Sequence, residues 1–574
     1  MSWLFGEIVK PKNSFSGFNN KIKNDIHHSF SNENINVLAG GNSNNLFSFK
    51  KSNTHYFVSG IGITTKNGFS KVMDANDWNE TFSTDMENVL NTDGHFVIIK
   101  IENESVSIYT DKLGLRDIYI KEFDDRIIFS TKIEWFTYFE TLELDYNIFG
   151  SRWLLHNQIS HKSVFKNSTR LLAGKSATID VKNNCSIAYN KHKIEYSRTP
   201  ITIDEYEERL LSLVNLKVQD SEKLSLSLSG GMDSRVLFSL LVNNRKEFFE
   251  THSFGNPNHP DCVIAKRMVD HLNIQHYQYD GTSGSTDEII SDLKTYTVDN
   301  IVNNAASAVL QLNNYKYLTN RNLIVVDGAP GELWRHEYFF KMLLKGRKTL
   351  LSGNIEKIIP FLLMPRADIF TEEITLQMKE GLSNQFEEIF DSLPEINEKN
   401  IREWLDLLAI RTRVPNYIGH EQSRLDGLIT GVMPFAQISL LSNLFSLDSK
   451  EKKNARLFRN IIKQNSPKLA KYPLVKGTSQ HPFYLNTFLS RVWPRVSSKI
   501  GKGYNEVSNT DIILNKLKEY IYDLVNSKRI VESSNLEYDK IRKIVDDYYI
   551  NGQNGYSLDW LLSFIVFNDS IYKK

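Results

Sequence analysis

Six consecutive residues carry the strongest chemical signal in this sequence: Ser229-Gly230-Gly231-Met232-Asp233-Ser234. A compact strand candidate, Leu224 to Leu228, precedes them, and a helical pattern through Val236, Leu237, Leu240 and Leu241 follows. Two glycines let the backbone turn tightly and come close to a ligand. Backbone N–H groups at such a turn, and at the start of the helix behind it, point at an anion. Ser229 and Ser234 add hydroxyl donors, and Asp233 offers a hard oxygen ligand suited to Mg2+. No Gly-Lys-Ser/Thr ends the run, so it is not a Walker A loop. The reading is a phosphate-binding turn between strand and helix; the bland alternative is a Gly-Gly turn with a serine cap.

The surrounding elements must position that turn. A second strand ends near His252-Ser253-Phe254 and leads into a helix bearing Ala265, Met268, Val269 and Leu272; a third strand is Leu323 to Val326. Strand and helix in alternation predict a parallel sheet with helices on both faces. Thr202 and Glu205 form a capping-box pattern that opens a helix through Leu210, Leu211 and Val214. Before it, Glu195 to Pro200 reads as a linker. The first ~190 residues are β-rich, with short alternating stretches at 96–99, 106–109, 118–120 and 127–129. Beyond about residue 340 the pattern is mostly helical, and the Lys/Glu/Asn-rich stretch near 500–545 reads as solvated helices. Two domains are expected, 1–195 and 200–574.

Composition narrows the class. A chain of 574 residues exceeds one ordinary core. Lys+Arg is 69 against Asp+Glu 68, a net charge of +1, which leaves no electrostatic footprint for nucleic acid or an anionic membrane. Cys185 and Cys262 are the two cysteines, too few for a disulfide framework, and a reducing compartment fits. The first residues lack the layout of a signal peptide and no apolar run approaches the roughly 20 residues of a membrane span, so a cytoplasmic location is expected. His27-His28 reads as a surface pair rather than a metal site.

Ser-Gly-Gly-x-Asp-Ser resembles the PP-loop of the ATP pyrophosphatases, which cleave ATP between the α and β phosphates; asparagine, GMP and NAD synthetases and tRNA-modifying enzymes share it. Further stretches resemble the asparagine synthetase family, in that family's order. Ser253-Phe254-Gly255, with Pro260-Asp261, is similar to the segment whose strand end borders the adenine. Gly328-Ala329-Pro330-Gly331-Glu332 aligns without gaps to a G-E-G-S-D loop, placing Glu332 where the second Mg2+-binding Asp stands and keeping Gly328. Arg413-Val414-Pro415-Asn416-Tyr417, Arg424 and Met433-Pro434-Phe435 are similar to R-L-P-N-Y…D-R…R-V-P-F. Lys476 lies where the family has a lysine on the pyrophosphate. In the N-terminal half, Gly94-His95-Phe96, Asp111 to Tyr119 and Phe129 to Lys132 resemble class II glutamine amidotransferase domains, four-layer αββα Ntn-hydrolase folds. The fold expected is that sandwich, followed by an α/β PP-loop domain with a parallel sheet and a helical C-terminal part.

Departures from the family shape the functional expectation. Ser2 stands where the glutaminase nucleophile, a cysteine freed by Met1 removal, would be, and the glutamine-holding segments are not recognisable. The first domain is therefore expected to be a scaffold without glutaminase activity. Ala329 replaces an acidic residue and cannot move protons; Ser423, Thr430 and Val432 replace Asp, Glu and Arg. Trp334, Arg335 and His336 replace small residues, as part of a different acceptor pocket or as packing. The resemblance thus implies ATP and Mg2+ as cofactors, with Ser229, Gly230, Gly231, Asp233, Ser234, Ser253, Phe254 and Gly328 around the nucleotide. Asp233 and Glu332 are expected on the metal, and Lys476 on the leaving pyrophosphate. The activity implied is an AMP-forming amide ligase like lasso-peptide cyclases or β-lactam synthetases, acting on a small-molecule or peptide carboxylate. Asparagine synthesis from ammonia or glutamine is one alternative, and a non-catalytic binding subunit another. A homodimer or a pathway partner protein stays open, with no nucleic acid and no membrane among the partners.

Overall fold

Two stacked antiparallel sheets fill the N-terminal half because its strands bury both faces. The computed structural model describes residues 2–572 apart from 67–68, 184, 219–221, 246, 283, 298–302, 320, 487–488, 491–492 and 494–508. One sheet runs Thr169–Leu171, Ile118–Glu122, Arg126–Ser130, Trp3–Val9, Ile35–Gly40, Ile26–Ser31. The other runs Ser186–Lys191, Lys175–Asp180, Ser105–Thr110, Asp93–Glu102, Thr54–Lys66, Leu46–Lys51, with Phe69–Val72 also beside Thr54–Lys66. The two-residue period of a strand sends Leu4 and Ile8 into the layer between the sheets, with Ile127, Phe129, Val97 and Ile99. Trp3, Phe5 and Ile128 point the other way. On the far face of the second sheet, Val58, Phe96 and Ile98 meet Trp78, Val89 and Leu90 of the helices Ala75–Thr81 and Met86–Leu90. This is the expected αββα sandwich.

The layer covering the first sheet comes partly from far along the chain. Trp3, Phe5 and Ile128 share one apolar cluster with Phe149 and Trp153 of the helix Tyr146–Leu154, and with Leu561, Phe564 and Phe567 of the helix Gly555–Ser570. Of the Lys/Glu/Asn-rich stretch, 500–508 lies outside the described residues; the rest forms the helices Asn509–Lys516, Lys518–Val525, Lys528–Val531 and Tyr538–Asn551. Among the described residues no helix is long and apolar enough to cross a membrane.

The second sheet system is parallel throughout: His276–Tyr279, Phe249–Phe254, Lys223–Ser227, Leu323–Val326, Thr430–Val432. Lys223–Ser227 comes first in sequence, yet has the second strand on one side and the fourth on the other. The connections therefore leave in opposite directions at its carboxyl end and open the crevice where α/β sheets bind ligands. The helix Ile203–Val214 starts as its sequence requires: Thr202 Oγ1 accepts from Glu205 N–H at 3.1 Å, and Glu205 Oε2 accepts from Thr202 N–H at 2.7 Å.

A buried ion cluster ties the sandwich to the helix Gly419–Leu425. His95 Nε2 lies 3.0 and 2.9 Å from the two oxygens of Asp426, and Arg116 Nε donates to Asp426 Oδ2 at 3.0 Å. Burial alone would raise the Asp426 carboxyl, but His95 and Arg116 hold it below its ordinary value. Asp426→Ala leaves an uncompensated buried charge and is expected to cost about 3–5 kcal/mol, read as a lower denaturant midpoint; a loss under about 1 kcal/mol would mean water enters the cluster. A second buried acid titrates in the accessible range. Asp559 accepts from Ala306 N–H at 2.7 Å and Asn304 Nδ2 at 2.5 Å, at the N-terminus of the helix Ala305–Thr319. Burial pushes its carboxyl from 3.8 up to about 7, so the folded state holds the proton more tightly than the unfolded chain. Stability from this group is full at low pH and is lost as pH rises between about 4 and 7. Asp559→Asn is expected to flatten that part of the unfolding midpoint against pH.

Candidate active site

At the carboxyl end of the strand Lys223–Ser227 the chain turns through Ser229–Ser234 and enters the helix Asp233–Asn244. The turn is fixed internally: Ser234 Oγ accepts from Ser229 N–H, and Ser229 Oγ accepts from Gly231 N–H, each at 3.1 Å. No side chain caps the helix, so its first N–H groups are free to meet an anion. A second loop after the strand Leu323–Val326 lies backbone to backbone against the first. A Cβ at Gly328 would sit 2.9 Å from Ser234 N, and one at Gly331 would sit 2.5 Å from Asp233 Cγ. Only glycine permits that approach.

Between these loops and the strand Leu474–Lys476 opens a cavity of about 700 Å3. Of the residues expected around a nucleotide, Ser229, Gly231, Asp233, Ser234, Gly328, Glu332 and Lys476 line it. Gly230 is not in the lining. Its carbonyl faces away, accepting from Val475 N–H at 3.1 Å and Arg235 Nη2 at 2.9 Å. Ser253 and Phe254 are not brought to the cavity either: Ser253 Oγ donates to the Leu228 carbonyl at 2.6 Å, and Phe254 packs on His252 and Tyr315. Asp261, Asp327, Glu337, Arg335, Arg413 and Arg459 complete the charged lining. Asp327 had a sequence signal, since it directly follows a parallel strand beside the switch point. Glu337 and Arg459 had none.

Charges in the wall alternate. Arg335 donates from Nε and Nη2 to the two oxygens of Asp233, each at 2.7 Å; its Nη1 is 3.7 Å from Glu337 Oε1, and Glu337 Oε2 accepts from Lys476 Nζ at 3.2 Å. Burial pushes the Asp233 carboxyl up to about 6 against the pull of Arg335, and Glu332 and Glu337 add to the rise. Burial raises Asp327 and Asp261 as well. Glu332 accepts a hydrogen bond from Tyr338 at 3.4 Å.

The metal role expected of Asp233 does not fit this arrangement. Both carboxylate oxygens are already engaged by one guanidinium, and among the described residues no group of three or more His, Cys, Asp or Glu is placed to hold a metal ion. Ser2 is likewise engaged. Fully buried, its hydroxyl is 3.0 Å from Arg116 Nη2 and 3.1 Å from Ser59 Oγ, and a guanidinium cannot take its proton.

Arg235, directly after the loop, holds Lys476 in place. Its buried guanidinium donates to the carbonyls of Gly230 (2.9 Å), Leu469 (3.3 Å), Tyr472 (2.9 Å) and Pro473 (2.7 Å). The price is a cation stripped of water, its pKa lowered to about 9 by burial. Arg235→Met is expected to free the segment from Leu469 to Lys476. Limited proteolysis there should rise while far-ultraviolet circular dichroism is retained; an unchanged cleavage pattern would show that Val475 alone fixes the strand.

Comparison with known proteins agrees with the loop. Residues 205–315 match the asparagine synthase family model. Asparagine synthetase [glutamine-hydrolyzing] of Homo sapiens is 24% identical over 182 residues, 26% of this chain and 32% of that protein. The Gallus gallus protein of the same name is 23% identical over the same shares. The match thus spans about a third of those relatives' length. Among solved structures, a glutamine phosphoribosylpyrophosphate amidotransferase from B. subtilis complexed with ADP and GMP covers 57% of this chain and 82% of its own, at 9% identity and a TM-score of 0.21. The allosteric regulatory enzyme of purine biosynthesis covers 48% and 59%, at 9% and 0.20. The Ser229–Ser234 loop thus lies inside the segment that is similar to the asparagine synthase family.

Proposed function

We propose that the chain is an ATP-dependent, AMP-forming carbon–nitrogen ligase that adenylates a substrate carboxylate and passes it to an amine. The observation that carries this is the placement of the Ser229–Ser234 loop at the carboxyl end of the central parallel strand, facing Lys476 across one cavity. Residues 200–574 supply the ATP-binding synthetase, and residues 1–195 the scaffold. In the first step a carboxylate oxygen bonds to the α-phosphorus while the bond from that phosphorus to the bridging oxygen breaks, its electron pair leaving with pyrophosphate. Loop N–H groups, Ser229, Ser234 and Lys476 meet the growing charge. In the second step an amine nitrogen bonds to the acyl carbon, AMP leaves, and one proton is released. Glu332 and Glu337 line the same cavity and are placed to receive it, which Ala329 cannot do. Mg2+ would supply charge neutralisation on the ATP phosphates, without a ligand from Asp233, whose two oxygens Arg335 engages. The amine belongs to the substrate itself, as in lasso-peptide cyclases and β-lactam synthetases, since Ser2 is walled in and offers no ammonia source.

The test is AMP release from ATP, first with aspartate and ammonium, then with glutamine, then with carboxylate-bearing peptides. AMP is expected with a peptide or other amine-bearing carboxylate and not with glutamine. Lys476→Ala should lower the rate about 100-fold or more while leaving the unfolding midpoint in place. If ATP neither shifts the unfolding midpoint nor yields AMP with any of these, the ligase reading fails and a non-catalytic binding subunit takes its place.

A further inference from the structure

The guanidinium on Asp233 is built in, not a side chain resting there by chance. Arg335 ends the tight turn Gly331–Arg335, and both sides of that turn are pinned. Before it, Gly331 fits against Asp233 with no room for a Cβ, and Trp334 is fully buried with its ring 4.7 Å from Tyr206. After it, His336 takes a left-handed φ of 51° and its Nδ1 donates to Asp406 Oδ2 at 2.8 Å. The result is a two-pronged contact, Nε and Nη2 on the two oxygens of Asp233, each at 2.7 Å. Arg335 also lines the cavity, so the same group that satisfies Asp233 faces whatever anion enters.

We propose that Arg335 is the resident cation of this site: its guanidinium occupies the position on Asp233 that a divalent metal would take, and binds the ATP polyphosphate directly. This rests on the ligase reading. A planar guanidinium suits both tasks, because it pairs two-pronged with a carboxylate and still presents N–H to phosphate oxygens. Magnesium demands octahedral oxygen ligands close in, and would have to break both hydrogen bonds and sit beside a positive charge to reach Asp233. When pyrophosphate leaves with the electron pair of the broken bond, Arg335 and Lys476, joined through Glu337, are two of the positive charges in the wall, with Arg413 and Arg459 lining the same cavity. The site therefore depends on a protein metal ligand less than the two-carboxylate arrangement expected from the sequence.

Two measurements test this. The first titrates Mn2+ into the nucleotide-free protein and follows free Mn2+ by electron paramagnetic resonance. Wild type is expected to leave Mn2+ free, as Asp233→Asn does. Arg335→Met should gain one bound Mn2+, lost again in the Arg335→Met, Asp233→Asn double variant. The second measures ATP affinity by calorimetry with EDTA and then with Mg2+. Wild type should differ by no more than about threefold between the two, whereas Arg335→Met should weaken about tenfold or more in EDTA and recover in part with Mg2+. Arg335→Lys, which keeps the charge and loses the fork, should fall between. Mn2+ bound by wild type and released by Asp233→Asn would overturn the proposal, and that comparison decides it even if Arg335→Met does not fold. If no variant binds ATP in either buffer, the ligase reading fails; the Mn2+ titration still reports on Arg335 and Asp233.

Discussion

One buried guanidinium holds the working parts of this protein in register. Arg235 directly follows the Ser229–Ser234 turn and gathers four carbonyl groups, one from the turn itself and three from the segment that leads into the strand Leu474–Lys476. Carbonyl oxygens left bare in an apolar interior are costly, and so is a dehydrated cation; each removes the other's penalty. Because both partners need the contact, the turn and the strand cannot drift apart independently. This contact, with the hydrogen bond from Val475 N–H to the Gly230 carbonyl, holds the third wall of the cavity and the backbone that carries Lys476.

What the sequence disclosed and what it withheld divide along the range of the interactions involved. The Ser229–Ser234 turn, the strand Leu323–Val326 and the Thr202–Glu205 helix start depend on neighbours a few residues away, and their patterns are plain in the chain. The strands His276–Tyr279 and Thr430–Val432 read His-Tyr-Gln-Tyr and Thr-Gly-Val, without the continuous apolar run that marks Leu323–Val326, and each pairs at an edge of the parallel sheet. Asp233 illustrates the harder case. Its type and position were readable, but its partner Arg335 lies about a hundred residues on, and nothing local tells a metal ligand from one half of an ion pair. Ser253 and Phe254 show the reverse: a motif pointed toward the nucleotide, while the fold turns Ser253 to a carbonyl and Phe254 to other rings.

The N-terminal sandwich is held to the remainder by polar as well as apolar contacts. Asp426 receives His95 and Arg116 from two different strands and loops of the sandwich, and Arg116 reaches on to Ser59 and Ser2. Ser2 stands at the far end of this network, fully buried. The sandwich thus steadies the helix Gly419–Leu425, which Val414–Ile418 joins to the helix Ile401–Arg413, whose Arg413 lines the cavity.

The apolar cluster that joins Trp3 and Phe5 to Leu561, Phe564 and Phe567 has a consequence for how the molecule is made. A ribosome delivers the strand Trp3–Val9 at the outset and the helix Gly555–Ser570 only after the parallel sheet and everything between. Until that helix emerges, the outer face of the first sheet has the helix Tyr146–Leu154 but lacks Leu561, Phe564 and Phe567, which leaves apolar side chains open to whatever binds nascent chains. The sandwich can begin to form early, yet its apolar cover is completed by a helix from the far side of the parallel sheet in sequence, which couples folding of the two regions.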